Sequence, residues 1–280
     1  MSLNHTALND LPVVEAELNY LAPTASRPRT YAYDPPPGVL LTTVVPETHT
    51  LPIRDVRPVA NAVGLDEEGF ALLQHRSEVS EFADDAEIRQ IYYPETEQVL
   101  KEATGADRVF IFDHTIRRRV VGAPDRREGL RQPVTRVHVD HTVKSGPQRV
   151  RDLIPDEAET LLKGRVQIIN LWRPIHHPVW DAPLAVCDAR TVKSEDLVPS
   201  DLVYRNRTGE TYSVTYRPEH AWFYVPAMRP DEALLLKCYD SETDGRARFL
   251  PHSAFVDPTA PANAPPRESI EIRALVFEQL

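Results

Sequence analysis

From Arg108 to the C-terminus, apolar residues fall into short stretches that alternate or run briefly unbroken, separated by Gly, Pro, Asn and Asp. β-Strands produce this pattern, because successive side chains point to opposite faces. Val109 and Ile111 alternate with Phe110 and Phe112, and the spacing predicts strands over 108–115, 135–142, 166–172, 184–187, 210–216, 221–225, 233–239 and 269–277. Upstream the period lengthens. Phe70, Leu73, Val79 and Phe82 predict an amphipathic helix over 66–83. A second helix is expected over 95–103, stopped by Gly105, and a short one over 156–163, stopped by Gly164. Helices followed by many strands indicate a mainly β fold with flanking helices. Residues 1–65 are strand-poor and broken by Pro35-Pro36-Pro37-Gly38, which predicts a proline-rich arm wrapping the core. Residues 66–280 are then one structural unit, with 257–266 a proline-rich loop.

Composition narrows the function classes. Proline is abundant and glycine scarce, at 26 and 10 of 280 residues, which favours ordered loops over disorder. A formal net charge of −10 argues against a nucleic-acid partner, and Arg117-Arg118-Arg119 reads as a solvated surface or a substrate rim. Cys187 and Cys238 are too few for a disulfide scaffold and read as buried thiols. No apolar run approaches the ~20 residues that span a bilayer, and the first residues carry no secretory signature. The expectation is a soluble, cytoplasmic protein with no membrane partner.

His138-Val139-Asp140, His252 and Arg267-Glu268-Ser269 carry the chemistry. On a strand His138 and Asp140 share a face, and with His252 they make a two-histidine, one-carboxylate set that suits Fe(II) and leaves positions open. Zinc accepts the same donors. Arg267 offers a guanidinium fork for a dicarboxylic co-substrate, with the Ser269 hydroxyl beside it. Arg273 lies on the same strand face and is the rival anchor, and Glu271 between them can neutralise whichever arginine is not used.

Three features, Arg136–Thr142, Asn170-Leu171-Trp172-Arg173-Pro174 and Pro251–Phe255, stand in that order with Arg267–Glu271 last. With Leu18-Asn19-Tyr20-Leu21, Pro183–Asp188, Trp222-Phe223-Tyr224 and Lys237–Ser241, they resemble the fungal AsaB-type hydroxylase/desaturase family. These are Fe(II)/2-oxoglutarate-dependent oxygenases, similar to gibberellin desaturases and cephem methoxylase components, and the likeness runs from about Leu18 nearly to the end. The resemblance implies a double-stranded β-helix, or jelly roll, using Fe(II), 2-oxoglutarate and O2. It implies oxidation of a C–H bond of a small molecule, by hydroxylation, desaturation or ring closure, in secondary metabolism. Two other readings stay open: a 2-oxoglutarate-independent iron oxidase on the same fold, and a catalytically silent binding protein.

Around this centre, Asn170 and Trp172 share a face, so Asn170 can bond co-substrate or substrate and Trp172 can wall the pocket. Trp172 as plain core, with Arg173 ion-paired to Asp188 or Asp240, fits equally. Tyr224 and Tyr239 are candidate substrate contacts or ordinary buried tyrosines. His141 faces away from Asp140, His176-His177 sit in a proline-flanked loop, and His220 is a candidate neighbour of the ligands.

Overall fold

The apolar run Val166–Trp172 becomes the middle of a sheet: Arg165–Pro174 is buried at every position but the first. Burial on both faces explains why this run does not alternate. The computed structural model describes residues 10–79, 81–123, 126–127 and 130–278. In chain order its strands begin β1 (Val13–Leu21), β2 (Arg29–Tyr31), β3 (Pro46–Asp55), β4 (Phe70–Gln74) and β5 (Arg108–Arg118). Next come β6 (Arg126–Arg127), β7 (Leu130–Arg131), β8 (His138–Val139), β9 (Arg165–Pro174), β10 (Leu184–Cys187) and β11 (Leu197–Val203). The last are β12 (Thr208–Val214), β13 (Trp222–Tyr224), β14 (Glu232–Asp240), β15 (His252–Ala254) and β16 (Glu268–Glu278). The longer helices are α1 (Tyr93–Thr104) and α2 (Ser145–Leu153), followed by the single turn α3 (Ala158–Leu161).

Nine strands form one sheet in the order β1-β3-β13-β10-β15-β8-β12-β11-β2, and seven form the other in the order β4-β14-β9-β16-β5-β7-β6. The architecture is the double-stranded β-helix. Alternation assigns the layers. Ile168 and Trp172 of β9 point between the sheets to meet Leu184, Val186 and Phe223, while Ile169 and Leu171 point outward against Val99 and Leu100 of α1. α1 stops where expected: Gly105 takes φ 74° and its amide bonds to Lys101 O. On the outer side of the larger sheet, Val14, Ala16, Leu18 and Tyr20 of its edge strand β1 cluster with Val137, Cys187 and Trp222.

Several sequence expectations change. The region before residue 65 is not strand-poor: β1 pairs with β3 at one edge of the larger sheet, and β2 pairs with β11 at the other. No helix forms over 66–83 among the described residues. Phe70–Gln74 is instead β4, paired with β14, because five ladder positions against Leu236–Glu232 outweigh a weak local periodicity. The strand expected over 135–142 shrinks to His138–Val139. Helix α2 and strand β11 are additions that the sequence pattern does not predict. Both cysteines are buried and free. No helix among the described residues is long and apolar enough to cross a membrane.

Candidate active site

His138 on β8 and His252 on β15 are register partners on adjacent strands, which brings their imidazole centroids to 4.4 Å. Each ring is oriented by the backbone two residues before it. His138 Nδ1 lies 2.9 Å from Arg136 O, and His252 Nδ1 lies 3.0 Å from Leu250 O. A carbonyl only accepts, so both Nδ1 atoms carry the proton and both Nε2 atoms keep a free lone pair. Asp140 closes the set, its Oδ1 3.5 Å from His138 Nε2. One donor atom from each of the three residues falls within 4.8 Å of the others, and the group is mostly buried. Two neutral imidazole nitrogens and one carboxylate oxygen on a common face fit Fe(II), with room for further ligands.

The other oxygen of Asp140 is committed elsewhere. Oδ2 accepts from Asn170 Nδ2 at 2.9 Å and from Arg273 Nε at 3.2 Å. Burial alone would raise the Asp140 pKa, but the Arg273 charge holds it well below the usual carboxylate range. Asn170 also donates to Glu271 Oε1 at 2.9 Å, and Glu271 pairs with Arg273 Nη2 at 2.6 Å. Arg273 further reaches Asp113 at 3.1 Å and Thr115 at 2.9 Å. Burial would lower its pKa, yet Glu271, Asp140 and Asp113 raise it well above normal. Arg273 is thus fully engaged with carboxylates.

Arg267 is not. Its Nε donates to Ser269 Oγ at 3.1 Å and its Nη1 to Ala182 O at 2.9 Å, and no carboxylate reaches the guanidinium among the described residues. Burial and then the neighbouring Arg117 push its pKa down to about 9. Its guanidinium carbon sits 4.8 Å over the Trp172 ring, and Trp172 Nε1 is buried with no hydrogen-bond partner among the described residues. A buried cation with a serine hydroxyl on its Nε therefore lines the same cavity as the two histidines. Cation and hydroxyl are the groups that a carboxylate would satisfy.

The remaining candidates lie apart from this cluster. Tyr224 packs edge-on to Phe255 on the outer face, and burial raises its pKa to about 12. Tyr239 is in the inter-sheet core, so close above Gly146 that a Cβ there would meet its ring at 2.6 Å. His220 bonds Tyr20 OH at 3.1 Å and Asp196 at 3.2 Å, away from the ligands. His176 pairs with Glu268. His141 is buried near Ser145, and burial pushes its pKa down to about 4. Arg173 does not pair with Asp188 or Asp240; it contacts His75 and lies 5.1 Å over the Tyr92 ring. Asp188 is taken by Arg190, and Asp240 by Arg165 and Lys237.

Arg117 is the site residue that the sequence pattern leaves among surface groups. Its neighbours are tied to surface carboxylates, Arg118 to Glu268 and Arg119 to Asp181. Arg117 stands opposite Ser269 in the β5–β16 register and lines the same cavity as His138, His252 and Arg267. Alternation turns Arg117 and Arg118 to opposite faces, but the spacing alone does not say which of them faces inward. A larger cavity, about 390 Å³, opens elsewhere near Gly64, Asp66 and Arg165. Arg165 there is paired with Asp66, and no ligand set for a metal lies in that cavity among the described residues.

Comparison with known proteins agrees with this geometry. Residues 18–277 match the YDMC family, described as an oxidoreductase/YMDC permease-like domain. The chain is 36% identical to the hydroxylase/desaturase efuI of Hormonema carpetanum over 82% of its length and 84% of the relative's. It is 32% identical to the Fe(II)/2-oxoglutarate-dependent dioxygenase nvfI of Aspergillus novofumigatus, covering 94% of this chain and 96% of that one. Among solved structures, the iron and alpha-ketoglutarate-dependent endoperoxidase NvfI superposes with a TM-score of 0.85 at 29% identity, over 96% of this chain and 99% of that one. The chain belongs to the YDMC oxidoreductase family, alongside fungal hydroxylase/desaturase enzymes and Fe(II)/2-oxoglutarate-dependent dioxygenases.

Proposed function

We propose that the protein is a non-heme Fe(II)/2-oxoglutarate-dependent oxygenase that oxidises a C–H bond of a small molecule in secondary metabolism. The observation that carries this reading is the pairing of two Nε2-free histidines and one carboxylate with a carboxylate-free buried arginine in one cavity. His138, Asp140 and His252 hold the metal, which when bound supplies O2 activation coupled to decarboxylation of 2-oxoglutarate. Arg267 and Ser269 take the distal carboxylate of the co-substrate, and the Trp172 ring keeps the guanidinium flat and in place. Asn170 and Arg273 act through Asp140, fixing which of its oxygens faces the metal. Loss of such outer partners typically costs about 10–100-fold in metal affinity. Strands β1, β2 and β3 of the N-terminal arm join the sheet that carries both histidines, and so support the site from outside.

The Arg267–Ser269 pair favours 2-oxoglutarate dependence over an oxidase that needs no co-substrate, and over zinc, which requires no carboxylate anchor. The test is anaerobic reconstitution with Fe(II) followed by 2-oxoglutarate and then O2. Metal-dependent binding of 2-oxoglutarate and formation of succinate are expected, and both should be lost in His138→Ala and His252→Ala. Succinate formation that persists in His252→Ala would remove His252 from the ligand set. Turnover of substrate without 2-oxoglutarate would favour the oxidase reading.

A further inference from the structure

Five charged side chains line the cavity: Arg117, Asp140, Arg267, Glu271 and Arg273. Both carboxylates are already engaged, since Asp140 and Glu271 each pair with Arg273. Two arginines remain without a carboxylate partner among the described residues. Arg117 Nη1 donates to Gln132 O at 2.9 Å, a neutral acceptor, and among the described residues no carboxylate is in ion-pair reach. Its position is fixed by a long register: β5 and β16 pair continuously from Glu268 opposite Arg118 to Arg273 opposite Asp113. Arg117 therefore stands across from Ser269 on the inward face, beside Arg267. Burial and the Arg273 charge depress its pKa despite Glu271, and Arg117 depresses that of Arg267 in turn. Two like charges held together in a desolvated cavity are costly unless anions arrive.

One carboxylate can satisfy Arg267, whose fork is flanked by Ser269 and the indole. That leaves Arg117 on the outer, β5 side of the cavity. We propose that Arg117 selects the substrate: the small molecule oxidised here presents a carboxylate to Arg117, separate from the co-substrate carboxylate on Arg267. The inference rests on the oxygenase reading and adds the substrate class. A neutral substrate would cover Arg117 with apolar surface and leave its charge buried and unmatched. An acidic one makes a charge-assisted pair that a neutral analogue cannot make. The arginine then orients the molecule by one end and leaves its C–H bonds to be placed by shape.

The experiment has two arms, both on Mn(II)-loaded full-length protein and neither relying on turnover. Calorimetric titration gives the 2-oxoglutarate affinity of wild type, Arg117→Gln and Arg267→Gln. Affinity-selection mass spectrometry on the 2-oxoglutarate-loaded protein then compares matched pairs of hydrophobic carboxylic acids and their primary amides. Arg117→Gln should leave 2-oxoglutarate binding largely unchanged, whereas Arg267→Gln should weaken it severely. Wild type should retain acids over amides on the order of tenfold or more. Arg117→Gln should lose that preference and Arg117→Lys should recover part of it, which separates charge from folding. Loss of 2-oxoglutarate binding in Arg117→Gln comparable to Arg267→Gln would place Arg117 on the co-substrate and overturn the proposal. So would the lack of an acid preference in wild type, or its survival in Arg117→Gln. Failure of wild type to bind 2-oxoglutarate would overturn the oxygenase reading itself, and this proposal with it.

Discussion

Arg273 Nε lies 3.2 Å from Asp140 Oδ2, the oxygen bonded to Asn170 rather than the one nearest His138. Arg267, on the same strand face, touches a serine, a carbonyl and an aromatic ring but, among the described residues, no carboxylate. The anchor that the sequence favours and its rival on the same strand face therefore differ in what they hold.

Their variants should separate accordingly. Arg267→Ala is expected to weaken 2-oxoglutarate binding by about 2–5 kcal/mol, or on the order of tens- to thousands-fold, with metal affinity little changed. Arg267→Lys recovers only part, because an ammonium has no fork. Arg273→Ala should show the reverse, lowering metal affinity by roughly 10–100-fold through the loosened Asp140. Metal binding by equilibrium dialysis and co-substrate binding by calorimetry read the two effects independently. The opposite ranking would transfer the anchor to Arg273.

Trp172 tests whether the ring under Arg267 is packing or part of the site. Trp172→Phe keeps a flat aromatic surface but removes the unpartnered Nε1–H. It should raise the 2-oxoglutarate Kd by about 0.5–1 kcal/mol, a few-fold, while the melting temperature moves little. An unchanged Kd would make Trp172 a core residue only.

Leu18 reports on the N-terminal strands. Leu18 is fully buried in β1, whereas Val13 on the same strand is 47% exposed. Leu18→Ala should cost about 2–5 kcal/mol, and Val13→Ala close to nothing. Thermal melting of the two variants distinguishes a structural strand from a dispensable arm. Equal, small shifts would mean that β1 is not part of the cooperative core.

Asp196 gives a pH signature away from the metal. It is buried between Arg217, the Lys193 amide and His220. Burial would raise its pKa, but the Arg217 hydrogen bonds hold it below the ordinary value of 3.8. A carboxyl whose folded pKa is depressed stabilises fully above its unfolded pKa and loses that stability as pH falls through the folded one. The melting temperature of Asp196→Asn should lie several degrees below wild type near pH 7, and the gap should close below about pH 3.8. A gap that persists unchanged into strong acid would mean that the carboxylate charge contributes nothing.

Most of the later strands are legible from the sequence, because Val166–Trp172, Leu184–Cys187 and Ala233–Tyr239 carry strong local patterns and end at clear breakers. The clustering of His138, Asp140 and His252 is legible too, since His138 and Asp140 share a strand face by spacing and the Arg-x-Ser pair follows His252. What fails depends on partners distant in sequence. Phe70–Gln74 becomes a strand through its pairing with β14. Val13–Leu21 alternates cleanly, but the prolines that follow hide it. Arg117 escapes the sequence pattern because only the β16 register shows which way a charged triplet turns.

His138 and His252 sit directly opposite each other on hydrogen-bonded strands, each ring tethered to its own backbone. Folding alone therefore assembles the metal-binding geometry, and loading requires little further ordering of the chain. The apoprotein should accumulate as a folded, receptive species that takes whichever divalent ion the cell presents in excess. Irving–Williams preferences then work against iron, so occupancy by the productive metal is decided by supply and exchange rather than by the scaffold.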